Sequence, residues 1–213
     1  MPLHSKISNN SAVELFIWSV KEDYDYFASK LVITEKEQSI IDQLAARKQI
    51  EWLSSRYLLH LMSGRAIRGS FIKDIHGKPA LENSSHHISI SHSNGFIAVI
   101  ACEKIVGIDI QTPVEKISRI QHKFVSEKEK AYIPEDRALE ALHILWGAKE
   151  SLYKAYGKRG LGFISHIEVF DLDATKDKGI FKGKIEKDDY LSWFELYFEI
   201  TENYILVYAK DIE

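Results

Sequence analysis

Apolar positions along this chain switch between two periods, a spacing of two and a spacing of three to four, passing from the first to the second and back twice. Residues 13–20 read as a strand, and residues 34–62 carry helical spacing through Ile40, Ile41, Leu44, Trp52, Leu53, Leu58, Leu59 and Leu61. Gly64 closes that helix. β-rich runs follow at residues 66–72, 87–91 and 96–102, the last two joined through Ser93-Asn94-Gly95 as a tight hairpin. A second series starts with a strand at residues 106–110. Ser126 with Glu129 forms a capping pattern that opens a short helix, Pro134 punctuates it, and residues 137–156 form a longer helix ended by Gly157. Strands then dominate at residues 163–172, 179–185, 191–200 and 204–210. The expected fold is α+β. Two pseudo-symmetric halves, residues 1–104 and 105–213, each pack a small antiparallel sheet with a long helix, leaving a ligand cleft between them. No sequence repeat is visible between the halves.

Composition narrows the class without naming an activity. At 213 residues, 45% hydrophobic and 28% charged, the chain has the make-up of an ordinary globular protein. Its one cysteine, Cys102, has no internal disulfide partner. Neither a secretory signal nor an apolar run of bilayer length is present, so a cytoplasmic protein without a membrane partner is expected. A net charge of −3 argues against a general nucleic-acid binder.

The candidate chemistry lies in three places. In the second long helix Glu150 and Lys154 are four residues apart and share a face bordering the apolar stripe of Leu142, Leu145, Trp146, Leu152, Tyr153 and Tyr156. In the strand 106–110, Asp109 sits among apolar neighbours and needs a partner, with Gln111 on the same strand face. Asp109, Glu150 and Gln111 are therefore candidate ligands for a hard divalent cation, and Lys154 supplies a positive charge beside them. Ser91 and His92, at a strand end before a turn, are suited to hold a phosphate, and Lys78 in Gly77-Lys78-Pro79 offers a cation on a rigid loop. Arg47 and Arg56 lie on the first long helix. Nucleophile elbows, Walker loops, dinucleotide fingerprints and metal-spaced Cys/His clusters are missing, so the chemistry falls to acids, bases and a metal.

Taken in order, Gly77-Lys78-Pro79, Ile90-Ser91-His92-Ser93, Gly107-Ile108-Asp109-Ile110, Phe124-Val125-Ser126-Glu127-Lys128-Glu129 and the run from Trp146 to Lys154 resemble the 4′-phosphopantetheinyl transferases of the long, surfactin-synthetase-activating type. The resemblance implies a monomer that holds coenzyme A between its halves with Mg2+ on the pyrophosphate. It further implies transfer of 4′-phosphopantetheine to a serine of an apo acyl or peptidyl carrier protein, with release of adenosine 3′,5′-bisphosphate. On this likeness Asp109 and Glu150 are metal ligands, and Glu150 also helps deprotonate the serine. Lys154 stabilises the leaving phosphate. Ser91, His92 and Lys78 contact coenzyme A, and Arg47 reaches its 3′-phosphate. Gln111 departs from the acid that many relatives carry there, which motivates a rival reading as a weakened homologue that only binds coenzyme A or a carrier. A metal-dependent nuclease is a further alternative, disfavoured by the helical placement of Glu150 and Lys154. Lys116, Arg119, Lys123, Lys128 and Lys130 offer a basic face for an acidic carrier.

Overall fold

A computed structural model describes the backbone of residues 3–8 and the whole of residues 13–212. Strands β1 (Leu3–Ser8), β2 (Glu14–Ser19), β3 (Phe71–Lys73), β4 (Pro79–Leu81), β5 (His87–Ser93) and β6 (Phe96–Cys102) form one sheet in the order β1-β2-β6-β5-β4-β3. Strands β7 (Val106–Gln111), β8 (Ile167–Phe170), β9 (Lys178–Lys187), β10 (Tyr190–Ile200) and β11 (Ile205–Asp211) form a second in the order β7-β11-β10-β9-β8. All pairings are antiparallel. Between β5 and β6, Asn94 and Gly95 both take positive φ, 44° and 84°, the turn that matches strand twist.

Successive residues of a strand face opposite ways, and the core follows that alternation. Leu15, Ile17, Ala98 and Ile100 turn from the first sheet onto Ile108, Ile110, Leu206 and Tyr208 of the second, a buried layer common to both. Phe16, Trp18, Ile97 and Val99 face the other way onto helix α3 (Ala46–Ser63), while Ile205, Val207 and Ala209 meet helix α5 (Ala138–Tyr156). The result is a helix–sheet–sheet–helix stack. α3 and α5 each end at a left-handed glycine, Gly64 at φ 60° and Gly157 at φ 72°.

Several expectations need correction. The single helix over residues 34–62 is two, α2 (Glu35–Ile41) and α3, preceded by a short α1 (Tyr24–Ala28). Ala45 is extended, with ψ 149°, and the Gln49 amide donates to the Ile41 carbonyl, so side chains satisfy a helix end that has neither glycine nor proline to announce it. The run at 66–72 is strand only at Phe71–Lys73, that at 163–172 only at Ile167–Phe170, and β1 and β4 were unread. After Ser126 comes a 3-10 turn, Glu129–Tyr132, and a single turn α4 (Ile117–Ile120) precedes it.

A repeat also emerges. Thr34-Glu35-Lys36-Glu37 matches Ser126-Glu127-Lys128-Glu129, and both are reciprocal capping boxes. Thr34 N–H donates to Glu37 Oε2 at 3.1 Å and Glu37 N–H to Thr34 Oγ1 at 3.3 Å. Ser126 N–H donates to Glu129 Oε2 at 2.9 Å and Glu129 N–H to Ser126 Oγ at 3.4 Å. About two turns before each closing glycine lies one buried cation, Arg56 in α3 and Lys149 in α5.

Candidate functional site

β7 is an edge strand, and its free N–H groups would be orphaned at the junction of the sheets unless something covered them. Three serines of β5 do so. Ile108 N–H donates to Ser89 Oγ at 3.2 Å, Ile110 N–H to Ser91 Oγ at 3.1 Å and Thr112 N–H to Ser93 Oγ at 3.0 Å. A strand repeat of two thus becomes a hydroxyl ladder joining the sheets.

α5 lies close against this edge because two glycines let it. A side chain at Gly107 would lie 1.9 Å from the Ser151 carbonyl oxygen, and one at Gly147 would lie 2.6 Å from the Val207 side chain. The helix is held in rotation by Lys149, whose side chain is fully buried: its ammonium meets Glu129 Oε1 at 2.6 Å and the carbonyls of Phe163 and Ile167. With Lys149 turned inward, Glu150 and Lys154 face the junction.

There Lys154 Nζ donates to Asp109 Oδ1 at 2.8 Å, to the edge carbonyl of Ile108 at 2.8 Å and to Ser91 Oγ at 3.0 Å. The Ser91 hydroxyl in turn donates to Asp109 Oδ1 at 3.0 Å. Asp109 is 7% exposed, so the lone acid of the strand does have its partner. Burial, reinforced by the negative charge of Asp109 and opposed by Lys154, pushes Glu150 above the usual carboxylate range. Its carboxylate takes no hydrogen bond from the described residues.

Gln111 is oriented otherwise than expected. Its amide nitrogen donates to Asp109 Oδ2 at 3.3 Å and to the His143 carbonyl at 2.8 Å. His143 Nε2 accepts from Val114 N–H at 2.9 Å, which leaves Nδ1 as the donor, and Nδ1 meets Gln111 Oε1 at 2.6 Å. The only oxygen Gln111 could offer a cation is already bonded to a buried imidazole that its own desolvation keeps below its usual pKa.

Lys78 does not point at open solvent either. Its ammonium donates to the Ala155 carbonyl at 2.5 Å, near the carboxyl end of α5, and burial lowers its pKa. A side chain at Gly157 would lie 2.4 Å from the Lys78 stem. Lys78 therefore fastens the first sheet's β3–β4 loop to α5.

Two grooves lie along β5, one of them at the junction. One, about 190 Å³, is lined by His76, Lys78, Tyr153, Lys154, Lys158 and Arg159. The other, about 410 Å³, is lined by Lys21, Arg47, Glu51, His92 and Phe96. Arg47 and His92 do share a surface, although both lean on Glu51, at 3.3 and 3.5 Å. Burial lowers the His92 pKa, with Lys48 and Lys154 adding and Glu51 opposing. Of the basic face, Lys128 pairs with Glu168 and Lys130 with Glu127, leaving Lys116, Arg119 and Lys123 exposed and unpaired beside α4.

The residues sequence reasoning missed are the ladder serines Ser89 and Ser93, His143, and the pair Glu129–Lys149. The ladder had a signal, serine at every second position of β5, and so did Glu129, whose tetrapeptide repeats that of Glu37.

No three His, Cys, Asp or Glu side chains gather closely enough among the described residues to hold a metal unaided. Two carboxylates, a lysine and a hydroxyl at a partly buried junction, with a groove lined by Lys78, Lys154, Lys158 and Arg159 beside them, are parts for handling a phosphorylated ligand. The family described as the 4′-phosphopantetheinyl transferase superfamily matches residues 105–209, which hold Asp109, Gln111, Glu150 and Lys154. The 4′-phosphopantetheinyl transferase gsp of Aneurinibacillus migulanus is 26% identical over 170 residues, covering 76% of this chain and 70% of the relative. The second half of the chain thus matches the 4′-phosphopantetheinyl transferase superfamily, and the chain is similar over three quarters of its length to a transferase of that class.

Proposed function

We propose that the protein transfers 4′-phosphopantetheine from coenzyme A to a serine hydroxyl of an apo acyl or peptidyl carrier protein, working in the cytoplasm as a Mg2+-dependent monomer. The observation that carries this reading is the Lys154 ammonium, which bonds Asp109, Ser91 and the Ile108 carbonyl together with Glu150 on the same helix face. The carrier oxygen forms a bond to the phosphorus nearer the pantetheine. The bond from that phosphorus to the bridging oxygen breaks, and adenosine 3′,5′-bisphosphate leaves with the electron pair. Phosphoryl-type transfer of this kind needs charge neutralisation and positioning more than a protein nucleophile.

Glu150 would accept the serine proton. Asp109 and Glu150 would hold the divalent cation. Two carboxylates fit a cation that would take its remaining oxygens from phosphate and water. When bound, the cation neutralises pyrophosphate charge. Lys154 would contact the leaving phosphate and stabilise its charge. Gln111 stays with His143 and supports Asp109 rather than the cation. Lys78 lines one groove and His92 and Arg47 the other of the two that would take coenzyme A, with Ser91 buried on β5 between them. Lys116, Arg119 and Lys123 face an acidic carrier beside the exposed Val114.

Incubation with coenzyme A, Mg2+ and apo carriers from fatty-acid, polyketide, peptide and lysine pathways tests this by intact mass. One phosphopantetheine is expected on at least one carrier and none with chelator. A folded protein that modifies no carrier but still binds coenzyme A would favour the weakened homologue.

A further inference from the structure

Asp109 is already taken up by donors of its own chain. Its Oδ1 accepts from the Lys154 ammonium at 2.8 Å and from the Ser91 hydroxyl at 3.0 Å, which uses both lone pairs, and its Oδ2 accepts from the Gln111 amide at 3.3 Å. A divalent cation needs a bare carboxylate oxygen. Seated on Oδ1 it would have to displace a donor, and seated on Oδ2 it would stand a few ångströms from an ammonium at a place where Asp109 is only 7% exposed and water screens like charges poorly.

The three donors are not equally free to leave. Ser91 is 5% exposed on a strand, and its Oγ also accepts from Ile110 N–H. Gln111 is held at both ends of its amide by His143, at 2.6 Å through Oε1 and 2.8 Å through Nε2. Lys154 differs from both. Its side chain is 27% exposed, its stem is flexible, and it lines the junction groove together with Lys78, Lys158 and Arg159, where a phosphate would meet it.

We propose that Lys154 is a resident counter-cation, which keeps Asp109 from a divalent cation in the free protein and releases it when a phosphate in the groove draws the ammonium away. On the reading of Asp109 and Glu150 as cation ligands, on which this rests, the free protein binds the cation weakly, and cation and phosphorylated ligand each strengthen the binding of the other.

Mn2+ binding to the free protein, followed by loss of the free-ion electron paramagnetic resonance signal with neither coenzyme A nor carrier present, tests this without any transfer. Lys154→Met removes the ammonium and keeps the bulk of its stem. It should bind Mn2+ about tenfold to a hundredfold more tightly than the unaltered protein, the range expected when a charged donor no longer competes for a carboxylate. Lys158→Met removes the same charge from the same groove without a bond to Asp109, and should change the affinity by less than about threefold. Adding Asp109→Asn to Lys154→Met should abolish the gain. Crystals of the unaltered free protein soaked in Mn2+ supply a second measurement that needs no variant: Lys154 should remain bonded to Asp109, with no anomalous peak on that carboxylate. Mn2+ seated on Asp109 beside an undisplaced Lys154 overturns the proposal, as does a Lys154→Met protein that binds no more tightly than the unaltered one or a Lys158→Met protein that gains as much. If that happens while the unaltered protein still modifies a carrier only with Mg2+, the role of Lys154 as counter-cation falls alone; a gain that survives Asp109→Asn overturns both it and the reading of Asp109 as a cation ligand.

Discussion

The two halves build the same helix start and the same buried cation, then partner them differently. In the second half the capping-box acid turns one oxygen inward, so Glu129 meets Lys149 with side-chain exposures of 1% and 0%, and Glu129 Oε1 also accepts from Val169 N–H. In the first half Glu37 goes to Arg68 instead, and Arg56 is left stacked on Trp52 and Phe71. In α5 an ion pair at position 149, closed by two carbonyls, fixes the rotation that turns Glu150 and Lys154 to the junction. α3 turns Arg47 and Glu51 toward its groove, and its buried cation is held by stacking, with Nε unpartnered.

Breaking each cation should show the asymmetry most strongly. Lys149→Ala strands Glu129 in the core and is expected to cost about 3–5 kcal/mol. Arg56→Ala loses stacking and packing and should cost about 2 kcal/mol. Denaturant unfolding of both variants measures the gap, and equal losses would mean that the two cations are equivalent braces.

Next in size is the seam between the halves. Ser89→Ala leaves the Ile108 N–H without its acceptor, a loss of about 1–3 kcal/mol. Ser91→Ala should cost a similar amount and in addition slow transfer, because Ser91 alone of the ladder also touches Asp109 and Lys154. If Ser89→Ala and Ser91→Ala slow transfer equally at matched stability, the ladder acts only as a seam.

The smallest effect concerns Gln111. Gln111→Glu places an anionic oxygen against Asp109 Oδ2 and the His143 carbonyl, where an amide N–H now donates. In chelator the variant should be less stable by about 1 kcal/mol, and the Mg2+ concentration for half-maximal rate should fall. An unchanged Mg2+ requirement would show that position 111 does not sense the cation.

Much of the second half was legible because its signals are local. The apolar stripe of α5, Gly157 after it, and the lone Asp109 in a β run each report their own environment. Asn94-Gly95 did the same for the hairpin. What was not legible depends on contacts distant in sequence. The break between α2 and α3 has no glycine or proline and is held by Gln49 on Ile41, so apolar spacing ran straight across it. Ser91 was read for a ligand when it also serves a seam, since nothing local says that β7 would be an edge. The direction of the Gln111 amide was fixed by His143, thirty-two residues on. The two capping boxes match over four residues only, too short a run to mark the halves as related.

The central claim is that the junction group of Asp109, Glu150 and Lys154 moves phosphopantetheine. Its most direct test is the initial rate of mass gain on a responsive apo carrier with saturating coenzyme A and Mg2+, comparing the unaltered protein with Asp109→Ala and Glu150→Ala. Each variant should retain its fold and lose at least about a hundredfold in rate, as expected when several kcal/mol of charge stabilisation is removed. Unaltered rates in both folded variants would contradict the account.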